Sequence, residues 1–265
     1  MISLIPAITK NGSSIASVHE RYVRDGRGCG SGFDYTPWIL VQDFASRGIV
    51  SRVKGRKSGR VHHLMSNNEL AYFYILDWSD IVTDIREQYP LSDLDCAVNS
   101  AAQAGIRYPT DNVSGFPYIM TCDFLITTST GVKARTIKMM AELENVRVLE
   151  KLEIERRYWA AHGVDWGIVT EREIPRQKAK NIEWLYTALG FTITGGEYEL
   201  ERGYCMLLNL LMRENCSIIE AANMIDGEVM LPAGTGLQLF KQLVLDRKLV
   251  IDLNQQINLN EGVVA

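Results

Sequence analysis

Asp123, Thr136 and Lys138 are the residues of this sequence whose types and spacing could do chemistry together. Residues 118–126 read as a strand, 128–131 as a turn tipped by Ser129 and Thr130, and 132–140 as the returning strand, so residue 123 falls opposite residue 136. Side chains alternate faces along a strand, which places Thr136 and Lys138 on the side of Asp123 and turns Ile137 away. A carboxylate and an ammonium then share one face. Metal-assisted hydrolysis of a phosphodiester needs such a pair, the carboxylate to hold a divalent ion and a nearby base or cation to orient water and offset charge. Mg²⁺ takes one or two carboxylates and completes its shell with water and phosphate oxygens. Asp123 supplies one oxygen, the backbone carbonyl of Ile137 a second, and Lys138 can position or deprotonate water if the site lowers its pKa. Glu69, at the start of a helix, is the best further carboxylate. Plainer readings stand beside these: Asp123 and Lys138 as a solvent-facing charge pair, and Ser66-Asn67-Asn68-Glu69 as a capping box in which Glu69 reaches back to the Ser66 amide.

The elements that must position these residues follow an α/β order. An N-terminal arm through Asn11 leads to a stretch from Arg21 to Gly32 so rich in glycine that it reads as a loop. Strand-like pieces follow at 38–41 and 49–53, then a helix over 66–78 and a strand over 81–89 that Pro90 stops. A long connection over 91–117 carries a short helix near 97–104. After the hairpin, 146–162 is strongly helical with Gly163 as its stop, and 164–170 supplies another strand. Residues 1–170 thus read as one domain and 171–265 as a second. The latter shows helices at 177–189, 199–213, 217–226 and 234–247, then short strands at 249–253 and 256–259, which is the layout of a winged helix. Its last helix carries little positive charge in its first two turns, which favours protein binding over DNA binding.

Composition bounds what such a site belongs to. With 265 residues, 46% of them hydrophobic and 23% charged, the chain reads as soluble and globular, and its length suits one large or two smaller domains. No apolar run approaches the roughly 20 residues of a membrane helix, and the start shows no signal-peptide pattern, so a cytoplasmic protein with no membrane partner is expected. The five cysteines are scattered, with neither metal-type nor disulfide spacing. A net charge of −4 leaves DNA binding to local basic patches. Arg24 and Arg27, with Arg52, Lys54, Arg56, Lys57 and Arg60, make the best phosphate-contacting surface, although a basic stretch is commonly a solvated loop. His62 and His63 join that surface, at most one of them facing the site, because neighbours in an extended segment point to opposite faces.

Several long strings in the same order carry a resemblance to a known family: Gly26-Arg27-Gly28, Asp34-Tyr35-Thr36-Pro37-Trp38, Gly59-Arg60-Val61-His62-His63-Leu64, Asp84-Ile85-Arg86-Glu87-Gln88-Tyr89-Pro90-Leu91, the run from Leu149 to Trp159, and Asn181-Ile182-Glu183-Trp184-Leu185-Tyr186. Over roughly residues 20–190 the chain resembles TnsA, the endonuclease subunit of heteromeric bacterial transposases. The resemblance implies an α/β restriction-endonuclease-like (PD-(D/E)xK) N-terminal domain followed by an α+β winged-helix C-terminal domain. It places the family's catalytic glutamate, aspartate and lysine on Glu69, Asp123 and Lys138, with Glu155 as a further acidic candidate whose alternative is an exposed helix charge paired with Lys151 or Arg156. Thr136 stands where relatives carry glutamine or an acidic residue, so the metal would depend on Glu69, Asp123 and the Ile137 carbonyl. The cofactor implied is Mg²⁺, with Mn²⁺ as a substitute. The implied partners are double-stranded DNA at transposon ends, an RNase H-like transposase subunit that cuts the other strands, and an AAA+ ATPase regulator bound through the C-terminal domain. The implied activity is cleavage of the 5′ strands; the alternatives are an inactive nuclease-fold assembly factor and a stand-alone restriction or repair nuclease.

Overall fold

The structure, a computed structural model, describes residues 15–43, 49–190, 197–212, 216–229 and 232–263. The expected arm through Asn11 lies outside them. The chain divides into two compact units, Met1–Ile174 and Pro175–Ala265. No helix among the described residues is long and apolar enough to cross a membrane.

The first unit contains α1 (Ile15–Arg24), a hairpin of β1 (Ser51–Lys54) and β2 (Val61–Leu64), α2 (Asn67–Trp78), β3 (Val82–Pro90), α3 (Leu94–Gln103), β4 (Thr121–Thr128), β5 (Gly131–Lys138), α4 (Val146–Ala161) and β6 (Asp165–Thr170). The strands β3-β4-β5-β6 form one sheet in that order, the first two pairings antiparallel and the last parallel. A parallel neighbour needs a crossover, and α4 provides it. Asn145 starts α4 by accepting from Arg147 N at 2.9 Å, and Gly163 beyond its end takes the left-handed φ of +66° that a β-carbon disfavours. Leu91, Ala97, Ala101, Cys122, Ala134, Ile154, Tyr158 and Trp159 form one buried cluster, which packs α3 and α4 against the sheet.

The register of the central hairpin positions the site. Thr128↔Gly131 closes the turn and Phe124↔Arg135 is the last pair of the β4–β5 ladder. One step further along this register, Asp123 stands opposite Thr136, where the alternation puts it, but the strands no longer pair there. β4 continues beside β3 to Pro90↔Thr121, and β5 continues beside β6 to Lys138↔Thr170. Between Glu87↔Phe124 and Tyr89↔Cys122, Gln88 leaves the ladder with φ +49°, a left-handed conformation that costs a non-glycine residue about 1–3 kcal/mol.

Three local expectations change. Arg21 to Arg24 close α1 rather than opening a loop. No strand forms over 38–41, where Trp38 N instead donates to the displaced Gln88 carbonyl at 3.2 Å. The strand expected over 49–53 is β1, Ser51–Lys54.

The second unit contains α5 (Arg176–Tyr186), α6 (Glu197–Leu211), α7 (Ile218–Glu228) and α8 (Thr235–Leu245), and no strand among its described residues. The wing expected over 249–259 does not form, because other groups take the carbonyls a hairpin would use. Asn181 Nδ2 donates to Leu253 O at 2.8 Å and Gln255 O at 2.6 Å, and Ile219 N, in the first turn of α7, donates to Leu259 O at 2.9 Å. Nor is α8 a projecting recognition helix. Eight of its eleven residues are buried, and Asp226 of α7 accepts from Gly234 N and Gly236 N at 2.5 and 2.6 Å, closing its N-terminus with an acidic group.

Candidate active site

Where β4 and β5 part, four ionisable side chains from two strands and two helices converge. Asp123 comes from β4, Lys138 from the end of β5, Glu69 from the first turn of α2 and Glu155 from the middle of α4. All four are at most 5% exposed. Asp123 Oδ2 accepts from Ile137 N at 2.7 Å, replacing the missing ladder partner, and lies 3.6 Å from Lys138 Nζ. Asp123 and Lys138 are therefore a buried pair, not a solvent-facing one.

Glu69 caps its own helix and also faces the cluster. Ser66 Oγ accepts from Glu69 N at 3.2 Å and donates to Glu69 Oε1 at 2.9 Å, while Glu69 Oε2 takes the Met65 amide at 2.9 Å in place of the expected Ser66 amide. The cap locks the side chain on the inner face of α2, where the charges of Asp123 and Lys138 act on it. Burial, reinforced by Asp123, pushes its pKa up to about 7.

Glu155 is fully buried and does not pair with Lys151 or Arg156; Arg156 binds Glu153 instead. Thr136 Oγ1 donates to Glu155 Oε1 at 2.5 Å. Burial raises Glu155 to about 7 against the lowering effect of Thr136, with Asp123 adding to the rise. The Trp166 indole also acts on this carboxylate, yet Trp166 Nε1 and Glu155 Oε2 are both left without a well-formed hydrogen bond.

Two expectations for β5 are corrected here. Burial alone would depress Lys138, but Asp123, Glu155 and Glu69 outweigh it and raise the pKa above its ordinary value, so Lys138 is a cation and not a base in this state. Its Nζ donates to Ile137 O at 2.7 Å, so the carbonyl expected to bind metal is taken by the ammonium.

Gln88 is a site residue that the sequence reading passes over. Its Nε2 donates to Glu69 Oε2 at 3.3 Å and its Oε1 accepts from Thr121 Oγ1 at 3.2 Å, which ties α2 to β4 beside Asp123. The available signal is a fully polar side chain inside a strand pattern, two residues before a proline.

The expected DNA-contacting surface separates into two groups. Arg24, Arg52 and Lys54 are exposed. Arg27 is held by Asp43 and the Trp38 carbonyl and lies over the Tyr22 ring. Arg60 makes a buried two-pronged bond to Glu87 at 2.7 and 2.6 Å, and His62 is fixed between Glu87 Oε2 and Ser58 Oγ, both at 2.8 Å. With these partners Glu87 falls to about 2 despite its burial. His63 Nδ1 accepts from Val41 N at 3.2 Å, so neither histidine is free to act at the carboxylate cluster. Arg56 and Lys57 are half-buried, their amides donating to Asp77 at 2.7 and 3.1 Å. A basic loop is folded inward because buried acids on β3 and α2 organise it.

The donor set suits a hard divalent cation. Three carboxylates face one ammonium, burial holds two of them partly protonated near neutral pH, and Glu155 Oε2 is a buried oxygen without a well-formed hydrogen bond.

Comparison with known proteins gives two family matches. Residues 79–171 match the TnsA-like endonuclease N-terminal family and residues 173–253 the TnsA endonuclease C-terminal family. The chain is also 42% identical over 184 residues to the Transposon Tn7 transposition protein TnsA of Escherichia coli, an alignment covering 68% of this chain and 66% of that protein.

Proposed function

The chain belongs to the TnsA endonuclease family, and from that premise we propose that it is a Mg²⁺-dependent DNA endonuclease that cleaves the 5′ strands at transposon ends. The observation that carries this reading is the convergence of Glu69, Asp123, Lys138 and Glu155 around a buried carboxylate oxygen that lacks a well-formed hydrogen bond. Asp123, Glu155 and Glu69 would hold the ion, with Mn²⁺ able to substitute; the Ile137 carbonyl joins them only where Lys138 releases it. When bound, the ion would neutralise charge on the scissile phosphate and acidify a water. The protein's own groups do the rest. The Ile137 amide fixes one oxygen of Asp123 and leaves the other for a ligand. Thr136 orients Glu155, and the Ser66 cap with Gln88 orients Glu69. Lys138, kept as an ammonium, places positive charge where the phosphoryl group gains negative charge.

The same premise extends to partners: an RNase H-like transposase subunit that cuts and joins the 3′ strands, and an AAA+ ATPase regulator contacted through the helical second unit. A buried, acid-capped α8 supports a protein-binding rather than a DNA-binding role for that unit. The test is strand cleavage at transposon-end DNA with the partner transposase present. The wild type should nick the 5′ strands only with Mg²⁺ or Mn²⁺, and Asp123→Ala and Lys138→Ala should abolish the nick. Persistence of 5′ cleavage in both variants would place the active site elsewhere.

A further inference from the structure

Away from the carboxylate cluster, Asp93, Cys96 and His162 bring a carboxylate oxygen, a thiol sulfur and an imidazole nitrogen within 4.8 Å of one another. They stand at two helix ends. Asp93 is the N-cap of α3, Cys96 lies in its first turn, and His162 is the C-cap of α4. Each is held by a contact that leaves its donor atom free. Asp93 Oδ1 accepts from Cys96 N at 3.0 Å, which leaves Oδ2. His162 Nδ1 lies 2.8 Å from the Tyr158 carbonyl, an acceptor only, so Nδ1 carries the hydrogen and Nε2 of the neutral ring keeps a lone pair. The Tyr158 ring stacks on the imidazole at 4.3 Å and its hydroxyl accepts from Asp93 N at 3.3 Å, fixing the two partners against one residue.

His162 Nε2 faces Asp93 Oδ2 at 3.7 Å. A lone pair opposed to a carboxylate is repelled unless a cation stands between them. A proton on Nε2 would satisfy Asp93 alone, whereas a metal ion engages the Cys96 sulfur as well. One thiolate, one imidazole and one carboxylate make a zinc donor set with one position left for water. The Nδ1 to carbonyl bond is the outer contact that metal-binding imidazoles use to fix their tautomer. We propose that Asp93, Cys96 and His162 form a binding site for a zinc-class transition-metal ion. On binding, the Cys96 thiol proton passes to solvent as the sulfur–metal bond forms, with no change of oxidation state. The ion clips the start of α3 to the end of α4, about two turns from Glu155 on the same helix.

Co²⁺ titrated into the full-length protein is the probe. The expected result is one thiolate-bound ion per chain, read from a thiolate-to-cobalt charge-transfer band that Zn²⁺ displaces and that is unchanged in Asp123→Asn, which separates it from the carboxylate cluster. Cys96→Ala should remove the band, and His162→Ala should weaken binding at least about tenfold. In the unsubstituted protein, Zn²⁺ should protect Cys96 from alkylation, read by peptide mass spectrometry, while the exposed Cys29 and Cys205 stay reactive. A charge-transfer band that persists in Cys96→Ala, or alkylation of Cys96 at the same rate with and without Zn²⁺, overturns the site.

Discussion

Thr136 Oγ1 donates to Glu155 Oε1, joining the end of a strand to the middle of a helix nineteen positions on. The threonine does not stand in for a carboxylate; it holds one in place. Thr136→Val keeps the shape and removes the donor, and losing a hydrogen bond to a charged acceptor costs about 1.5–3 kcal/mol. The variant should cleave about 10- to 100-fold more slowly at limiting Mg²⁺ and need a higher Mg²⁺ concentration for half-maximal rate, whereas Thr136→Ser should stay near wild type. Equal Mg²⁺ dependence in Thr136→Val and wild type would sever the link between Thr136 and the cofactor.

Protonation of the site sets a pH dependence with a defined sign. Glu69 and Glu155 are raised by burial to about 7 from the ordinary carboxylate value of about 4.5. The folded state therefore binds these protons more tightly, and their stabilisation is full below about 4.5 and lost as pH rises through about 7, on the order of 3 kcal/mol per group at most. Glu87 runs the other way in a window between about 2 and 4.5, and His19, lowered by burial to about 4, offsets part of the fall below about pH 6.5 without matching two carboxylates. In metal-free buffer Tm should fall from pH 5 to pH 8, and Glu155→Gln should flatten that fall. Mg²⁺ needs the ionised carboxylates, so the Tm increase it produces should grow over the same range. Stabilisation by Mg²⁺ that is independent of pH would contradict the assignment.

Gln88 combines backbone strain with two buried side-chain bonds. Gln88→Gly relieves the strain but removes the side-chain bonds to Glu69 Oε2 and Thr121 Oγ1, so its stability and its activity should separate. Tm should change little, while the cleavage rate drops by about tenfold or more. Gln88→Leu keeps the bulk and the strain without the bonds and should lose both. Activity of Gln88→Gly at the wild-type level would reduce Gln88 to a structural residue.

The basic residues divide by what their loss affects. Arg60→Met leaves Glu87 buried without its main partner and should destabilise the protein by about 3–5 kcal/mol in a thermal or denaturant melt. Arg52→Ala and Lys54→Ala, both on exposed positions of β1, should leave the melt within about 0.5 kcal/mol while weakening DNA binding and reducing its salt dependence. If the two groups behave alike, the separation between inward and outward cations is wrong.

Local signals in the sequence are enough for the hairpin, its register and the helices α2 and α4, because turn chemistry and side-chain period are written within a few residues. The resemblance to TnsA supplied the roles. What sequence could not show depends on distant partners. Glu150, Glu153 and Glu155 look alike on α4, and only packing against β5 makes Glu155 an inward group. Arg27 and Arg60 read as surface charge because Asp43 and Glu87, which turn them inward, lie 16 and 27 positions away. The alternating pattern of 249–259 resembles two strands until Asn181 and the start of α7 claim its carbonyls. Nothing in the residue type of Gln88 announces a left-handed backbone.

The parting of β4 from β5 beyond Phe124↔Arg135 makes the sheet a two-tined fork with the carboxylate of Asp123 at its crotch. Each tine is braced from outside, one by β3 and the other by β6. The gap cannot widen or close without tearing a ladder, so Asp123 and Lys138 form the fixed jaw of the site. The carboxylates of Glu69 and Glu155 reach that fixed jaw from separate helices, α2 and α4.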